Sequence, residues 1–369
     1  MRRAKNIFKR KDGRWEGRYA DGIKENGRKK YASVYAKSYS ECLEKLDNAR
    51  NNENISSKPI TVSRLYNEWL ESRRKKIKQS TFVNYQVLYQ NHISSFFGSM
   101  RAEEVSVFEV NRWINSLLEN GNKKSGEGLS SKSVQAILII FKSIYDYGEK
   151  VYSIKNPTKN VALPKLNQTE ITVFSTEEIS MIKDKLFCDE PKRLGIVLCL
   201  FTGMRIGEIC ALKWEDIDFE TLSVHVSKTL QRIKNTDADF PKTVLIIDAP
   251  KSEKSNREMP IPTFMISKLN ELKEYADKDN FFLTNSTVPL EPRSYSILYS
   301  SYLKELNIEY KSFHVLRHTF ATECIRYGVD VKSVSELLGH SSVKITLERY
   351  VHSDIETKRR QLEKLYENL

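Results

Sequence analysis

No stretch of this 369-residue sequence approaches the ~18 consecutive apolar residues that a membrane-spanning helix needs. The longest near-apolar run, Leu194 to Met204, is short and interrupted by glycine. The basic segment MRRAKNIFKRKDGRW has no apolar region after it and does not read as a secretory signal. Cysteine is scarce: Cys42, Cys188, Cys199, Cys210 and Cys324 are an odd number, widely scattered, with no CxxC pair. That argues against a disulfide framework and a Cys-based zinc site, and suits a reducing cytosol. Also missing are a Walker loop, a glycine-rich dinucleotide loop, a catalytic carboxylate pair and any tandem repeat. The expectation is a cytoplasmic protein without membrane partner, metal or cofactor.

What is present is charge, unevenly placed. The formal net charge is +12. Residues 1–58 hold 16 Lys and Arg against 8 Asp and Glu, and residues 59–165 hold 16 against 9. The remaining residues hold 28 against 31. A basic front on a near-neutral back fits a polyanion gripped by one part and a different task in the other. With 40% hydrophobic residues the chain can bury real cores, and its length predicts two or three domains.

Residues 5–35 read as short strands, Asn6–Lys11, Arg14–Tyr19 and Arg28–Tyr35, separated by Asp12-Gly13, Asp21-Gly22 and Asn26-Gly27. A helix follows from Tyr39 to about Asn48, with Cys42, Leu43 and Leu46 on one face. Arg14, Arg18, Arg28, Lys29 and Lys30 lie among aromatics on these strands, a ribbon able to enter a major groove. Residues 48–60 read as a linker. Four helical patterns come next: Thr61–Arg74, Thr81–Ile93, Ser106–Asn120 (opened by a Ser106-to-Glu109 capping box) and Ser131–Lys150. Arg73, Arg74 and Lys75 at the end of the first could meet phosphates or simply be solvated. A second linker, Asn156 to Lys165, precedes a last domain with helices at about 175–187 and 191–201. Strands follow at Leu222–Val226, Thr243–Asp248 and Glu258–Ile261, and helices resume from about Ile266. The fold class is therefore α+β and multidomain. It comprises a three-stranded sheet plus helix (1–58), an all-α four-helix domain (59–165), and a mainly α domain with a small antiparallel sheet (166–369).

The chemistry-bearing residues cluster in the last domain. Thr202-Gly203-Met204-Arg205-Ile206-Gly207-Glu208 sets an arginine on a turn between buried stretches, where it is an anion clamp or a salt bridge to Glu208. Lys251 and Lys254 lie on what reads as a β-hairpin tip. In His314-Val315-Leu316-Arg317-His318, His314 and Arg317 share a helix face. His314 and His318 have zinc spacing, but the glutamate of HExxH is missing. Leu338-Gly339-His340 is followed ten residues on by Tyr350. Two arginines, a lysine, histidines and a tyrosine suit phosphoryl transfer without a metal. Guanidiniums fork onto phosphate oxygens, a lysine protonates a leaving alkoxide, and a tyrosine stores the bond.

This ordered set resembles the tyrosine recombinases, or phage integrase family, whose pattern is T-G-x-R-x-x-E, a lysine on a β-hairpin, H-x-x-R, L-G-H and a tyrosine about ten residues later. The resemblance implies that Arg205 and Arg317 bind the scissile phosphate and that Lys251 protonates the leaving 5′-hydroxyl. His314 would assist proton transfer, His340 would steady the transition state, and Tyr350 would attack to leave a 3′-phosphotyrosyl link. His318 and His352 read as neighbouring groups. The resemblance further implies that 1–58 binds arm-type DNA sites, 59–165 binds core-type sites and 166–369 is catalytic. It implies a tetramer on DNA joined through an exchanged C-terminal segment, for which Ser353–Leu369 offers an apolar helical stripe. An excisionase and a host DNA-bending protein are candidate partners. Competing readings are a type IB topoisomerase and a DNA-binding module with an inactive site.

Overall fold

A computed structural model describes residues 6–23, 29–56, 59–166, 171–235, 242–248 and 256–350, with Arg359 and Glu363 as isolated positions. Arg28, Lys251, Lys254, His352 and nearly all of the Ser353–Leu369 segment lie outside the described residues. The chain divides into two compact units, Met1–Asn167 and Gln168–Leu369.

The first unit opens with β1 (Ile7–Lys9), β2 (Trp15–Ile23) and β3 (Lys29–Ala36), an antiparallel sheet in that order. The β1–β2 turn falls at Asp12-Gly13, where Gly13 takes φ +83°. Asp21-Gly22 makes no turn; β2 runs through it with a shift of register between Ala20 and Ile23. Alternation divides the faces. Ile7, Trp15, Tyr19 and Val34 pack on Cys42, Leu43 and Leu46 of α1 (Tyr39–Ser56). The opposite face carries Phe8, Arg18, Tyr31 and Tyr35, all exposed. The expected linker from residue 48 is a correction: α1 continues to Ser56. No glycine or proline interrupts Asn48–Ser56, and the first helix-breaking signal is Pro59, which disfavours helix at the residue before it.

The helical part of this unit holds α2 (Val62–Arg73), α3 (Gln79–Leu88), α4 (Ser94–Phe97), α5 (Val107–Asn120) and α6 (Ser131–Tyr152). A single π turn, Tyr89–Ile93, joins α3 to α4, so the second helix runs beyond its expected end. The Ser106–Glu109 capping box closes in both directions on α5. Leu65, Trp69, Phe97, Trp113, Phe141 and Tyr145 form the centre of a buried aromatic core.

The second unit contains α7 (Thr176–Leu186), α8 (Pro191–Thr202) and α9 (Ile206–Ala211), then β4 (Ile217–Asp218), β5 (Ser223–Val226), β6 (Thr229–Lys234), β7 (Thr243–Asp248) and β8 (Arg257–Pro260). It ends with α10 (Thr263–Lys273), α11 (Pro292–Glu305), α12 (His314–Arg326), α13 (Val331–Leu338) and α14 (Val343–Tyr350). The strands form two antiparallel sheets rather than one, β4-β5-β8 and β6-β7. Among the described residues β7 pairs with β6 and β8 with β5, and the expected hairpin tip around Lys251 lies outside the described residues. The overlooked strand was β6. Its two buried residues, Leu230 and Ile233, are three apart, so it lacks the period-2 signal. Among the described residues no helix is long and apolar enough to cross a membrane.

Candidate active site

The site in the second unit is built where helices end. α8 terminates at Gly203, whose φ of +68° is left-handed. A Cβ there would meet Phe320 Cδ1 at 2.6 Å and Leu338 Cδ2 at 2.9 Å, so glycine is required twice over. α13 terminates at Gly339, also left-handed. Helix ends leave carbonyls without partners and concentrate negative potential. Arg317, 1% exposed and in the first turn of α12, uses both ends. Its Nη1 donates to the Gly203 carbonyl at 2.9 Å and its Nη2 to the Leu338 carbonyl. Among the described residues no carboxylate pairs with it. Burial, then repulsion from Arg205, lowers its pKa to about 9 against the pull of nearby Glu208, so the guanidinium is a cation whose hydrogen bonds go to helix-end carbonyls.

Arg205 caps α9 and is one third exposed. Its Nη1 donates to Glu208 Oε1 at 2.7 Å, and its backbone N–H donates to Glu208 Oε2 at 2.9 Å. Glu208 is buried and also takes Arg257, whose Nη2 donates at 2.9 Å and Nη1 at 3.3 Å. Arg257 Nε donates to the Leu337 carbonyl at the end of α13. Burial pushes the Glu208 carboxyl up, but Arg257 and Arg205 outweigh it and hold the pKa at about 2. Both readings of Arg205 thus stand together: it is salt-bridged, and its guanidinium is fixed at the surface.

Histidines and the tyrosine complete the site. His314 begins α12 at the surface, and its ring meets that of His318 edge-on, centroids 4.5 Å apart. His340 is buried, with Nδ1 2.8 Å from Thr346 Oγ1. Its ring lies parallel to that of Tyr350, centroids 6.4 Å apart. Tyr350 is 6% exposed, and its Oη is 2.7 Å from His318 Nδ1. His318 and His340 are each lowered to about 4, first by burial and then by cationic or histidine neighbours, so both are neutral at pH 7. Burial raises the Tyr350 phenol while Arg317, Arg349 and Arg205 pull it down. A cleft of about 680 Å³ opens beside Arg205 and His314, and Gln231, Arg232, Lys234 and Arg293 line it.

Of the six expected residues, Arg205, His314, Arg317, His340 and Tyr350 come together. Lys251 lies outside the described residues. Sequence reasoning passed over Arg257 and set His318 aside. The signals were an arginine three residues before Pro260 and the second histidine of H-x-x-R-H. In the first unit, Arg14 and Arg18 are exposed on the sheet, with Arg14 bound to Asp12 and Arg18 to Glu16. Lys29 begins β3, and Lys30 follows it, exposed. Arg74 and Lys75 are exposed just past α2. Arg73 turns inward, donating to Ser143 Oγ at 2.9 Å with its guanidinium 5.1 Å from the Trp69 ring centroid. For Arg73 this corrects the expectation of a residue free to meet phosphate.

Residues 170–357 match the phage integrase family, and residues 61–118 match its N-terminal SAM-like domain. The chain is 31% identical to a "Tyrosine recombinase XerC-like" protein of Caldanaerobacter subterraneus subsp. tengcongensis, covering 90% of each chain. It is 25% identical to the "ICEBs1 integrase" of Bacillus subtilis over 80% of each. Among solved structures it is similar to the Tn1549 transposon integrase in complex with transposon right end DNA. The TM-score is 0.68 and identity 23%, over 83% of this chain and all of that one, which speaks to the fold. The chain belongs to the phage integrase family, the tyrosine recombinases, and is a site-specific recombinase that breaks and rejoins DNA.

Proposed function

We propose that this recombinase integrates and excises a bacterial mobile element. Tyr350 is its nucleophile, and a 3′-phosphotyrosyl link is its intermediate. Arg317 and Arg205 bind the non-bridging oxygens of the scissile phosphate and neutralise charge as it develops. The Tyr350 Oη–phosphorus bond forms as the bond to the 5′-oxygen breaks, and Lys251 gives that oxygen its proton. His340 hydrogen-bonds the phosphate, and His314 assists proton movement. The link conserves the energy of the phosphodiester, so the reaction calls for neither ATP nor another cofactor. The observation that carries this reading is Arg317. A buried guanidinium that no described carboxylate neutralises, seated on two helix-end carbonyls next to Tyr350, is a site awaiting an anion.

Residues 1–58 bind arm-type sites through the sheet face of Arg14 and Arg18, residues 59–165 bind core-type sites, and 166–369 carry out catalysis. The relatives support assembly on DNA: a solved structure at TM-score 0.54 and 16% identity is a lambda integrase tetramer bound to a Holliday junction. A tetramer on two sites in the bacterial cytoplasm, with an excisionase and a host DNA-bending protein as accessory partners, completes the proposal. The test is covalent trapping on nicked suicide duplexes from the element's ends, in EDTA, on a denaturing gel. An adduct lost in Tyr350→Phe supports the reading. No adduct on DNA that the protein demonstrably binds contradicts it.

A further inference from the structure

We propose that His318 accepts the proton of Tyr350 as the tyrosine attacks, and returns it when the strand is rejoined. The proposal rests on the reading of Tyr350 as nucleophile, and deepens it.

His318 Nδ1 lies 2.7 Å from Tyr350 Oη, within reach for direct proton transfer. The other histidines are turned to other tasks. His340 commits Nδ1 to Thr346, and its ring lies parallel to that of Tyr350 with centroids 6.4 Å apart. His314 packs edge-on against His318. The Arg349 guanidinium also reaches the phenol, but it has no lone pair for a proton. The groups facing His318 are His314 and Arg317 from α12, and Arg349 and Tyr350 from α14. Together with burial they keep the imidazole neutral at pH 7, so with Nε2 protonated its Nδ1 is an open acceptor.

The step balances. The Tyr350 O–H bond breaks and its proton moves to His318 Nδ1. The Oη–phosphorus bond forms, the bond from phosphorus to the 5′-oxygen breaks, and that oxygen takes a proton from Lys251. An imidazolium among guanidiniums is costly in the resting enzyme. It forms only as negative charge grows on the bound phosphate, which offsets it. In rejoining the phenol is the leaving group and the same proton returns to it.

The test measures single-turnover adduct formation by the full chain on nicked suicide duplexes. The scissile phosphate carries either the natural 5′-oxygen or a bridging 5′-sulfur, which departs without a proton. His318→Asn keeps an acceptor near the Nδ1 position but cannot hold a proton at neutral pH; His318→Ala keeps neither. Both variants are expected to be slower by ~10²-fold or more, on both substrates, with half-site affinity and melting temperature retained. Lys251→Ala is expected to recover on the sulfur substrate alone. A wild-type rate for His318→Asn overturns proton transfer, whether or not His318→Ala is slow. Should His318→Asn fail to fold, His318→Gln carries the same two readings. Tyr350→Phe runs alongside: an adduct that persists in it overturns the nucleophile itself, a result distinct from failure of the histidine proposal.

Discussion

The arginines of the first sheet and those of the second unit are the same side chain in opposite circumstances. Arg10, Arg14 and Arg18 stand 43–57% exposed, paired with Asp12 and Glu16 and lying against Tyr35 and Phe8. Arg317 and Arg257 are buried and seated on helix-end carbonyls, and Glu208 joins Arg257 to Arg205. Exposed guanidiniums are screened and mobile; each adds a little affinity for a polyanion and little stability. Buried ones are costly to place, and having been placed they are rigid, as stabilising a transition state demands. The difference fits the proposed division of labour, grip in residues 1–58 and chemistry in residues 166–369.

The comparison breaks first, if it breaks, at the two carboxylates. Glu208→Ala takes from the buried Arg257 the carboxylate it is paired with and should cost ~3–5 kcal/mol in denaturant unfolding. Glu16→Ala frees arginines that reach water and should cost ~1 kcal/mol. Equal losses would erase the distinction. Acid sharpens it. The Glu208 pKa falls from the ordinary 4.5 to about 2 on folding. Its contribution, about 3 kcal/mol, is complete above pH 4.5 and fades as pH falls towards 2. The stability gap between wild type and Glu208→Gln should therefore narrow from pH 7 to pH 3; a gap independent of pH would contradict the coupling. Gly203→Ala should cost ~2 kcal/mol and slow cleavage, since the Gly203 carbonyl seats Arg317. Wild-type cleavage in that variant would show that the seat is dispensable. The smallest effect belongs to the front sheet. Arg14→Ala with Arg18→Ala should flatten the salt dependence of binding to full attachment sites by about one log unit per arginine, leaving core-site cleavage alone. An unchanged salt slope would remove these two from the interface.

Much of this division was legible in the sequence because it rests on local signals. The capping box at Ser106 and the helical spacing of apolar residues placed five of the seven helices given bounds to within two residues. The motif residues around Tyr350 followed from their order. What escaped was long-range. The pairing of β6 with β7 depends on a partner rather than on alternation. The extent of α1 was hidden because polar residues look the same in a linker and on a solvated helix. Arg73 and Arg257 could not be read as inward-facing, because burial of a charge is decided by what lies opposite: Ser143 in one case, Glu208 in the other. His318 was visible, but which histidine nitrogen meets the phenol is a matter of geometry alone.

Arg205→Ala tests the division of labour most directly. Glu208 keeps Arg257 in that variant, so the fold has no reason to fail. Binding affinity and single-turnover cleavage are measured on the same attachment-site duplex. The account predicts that cleavage disappears while affinity stays within a few-fold of wild type. Affinity falling in step with cleavage would contradict it, placing grip and chemistry in the same arginines.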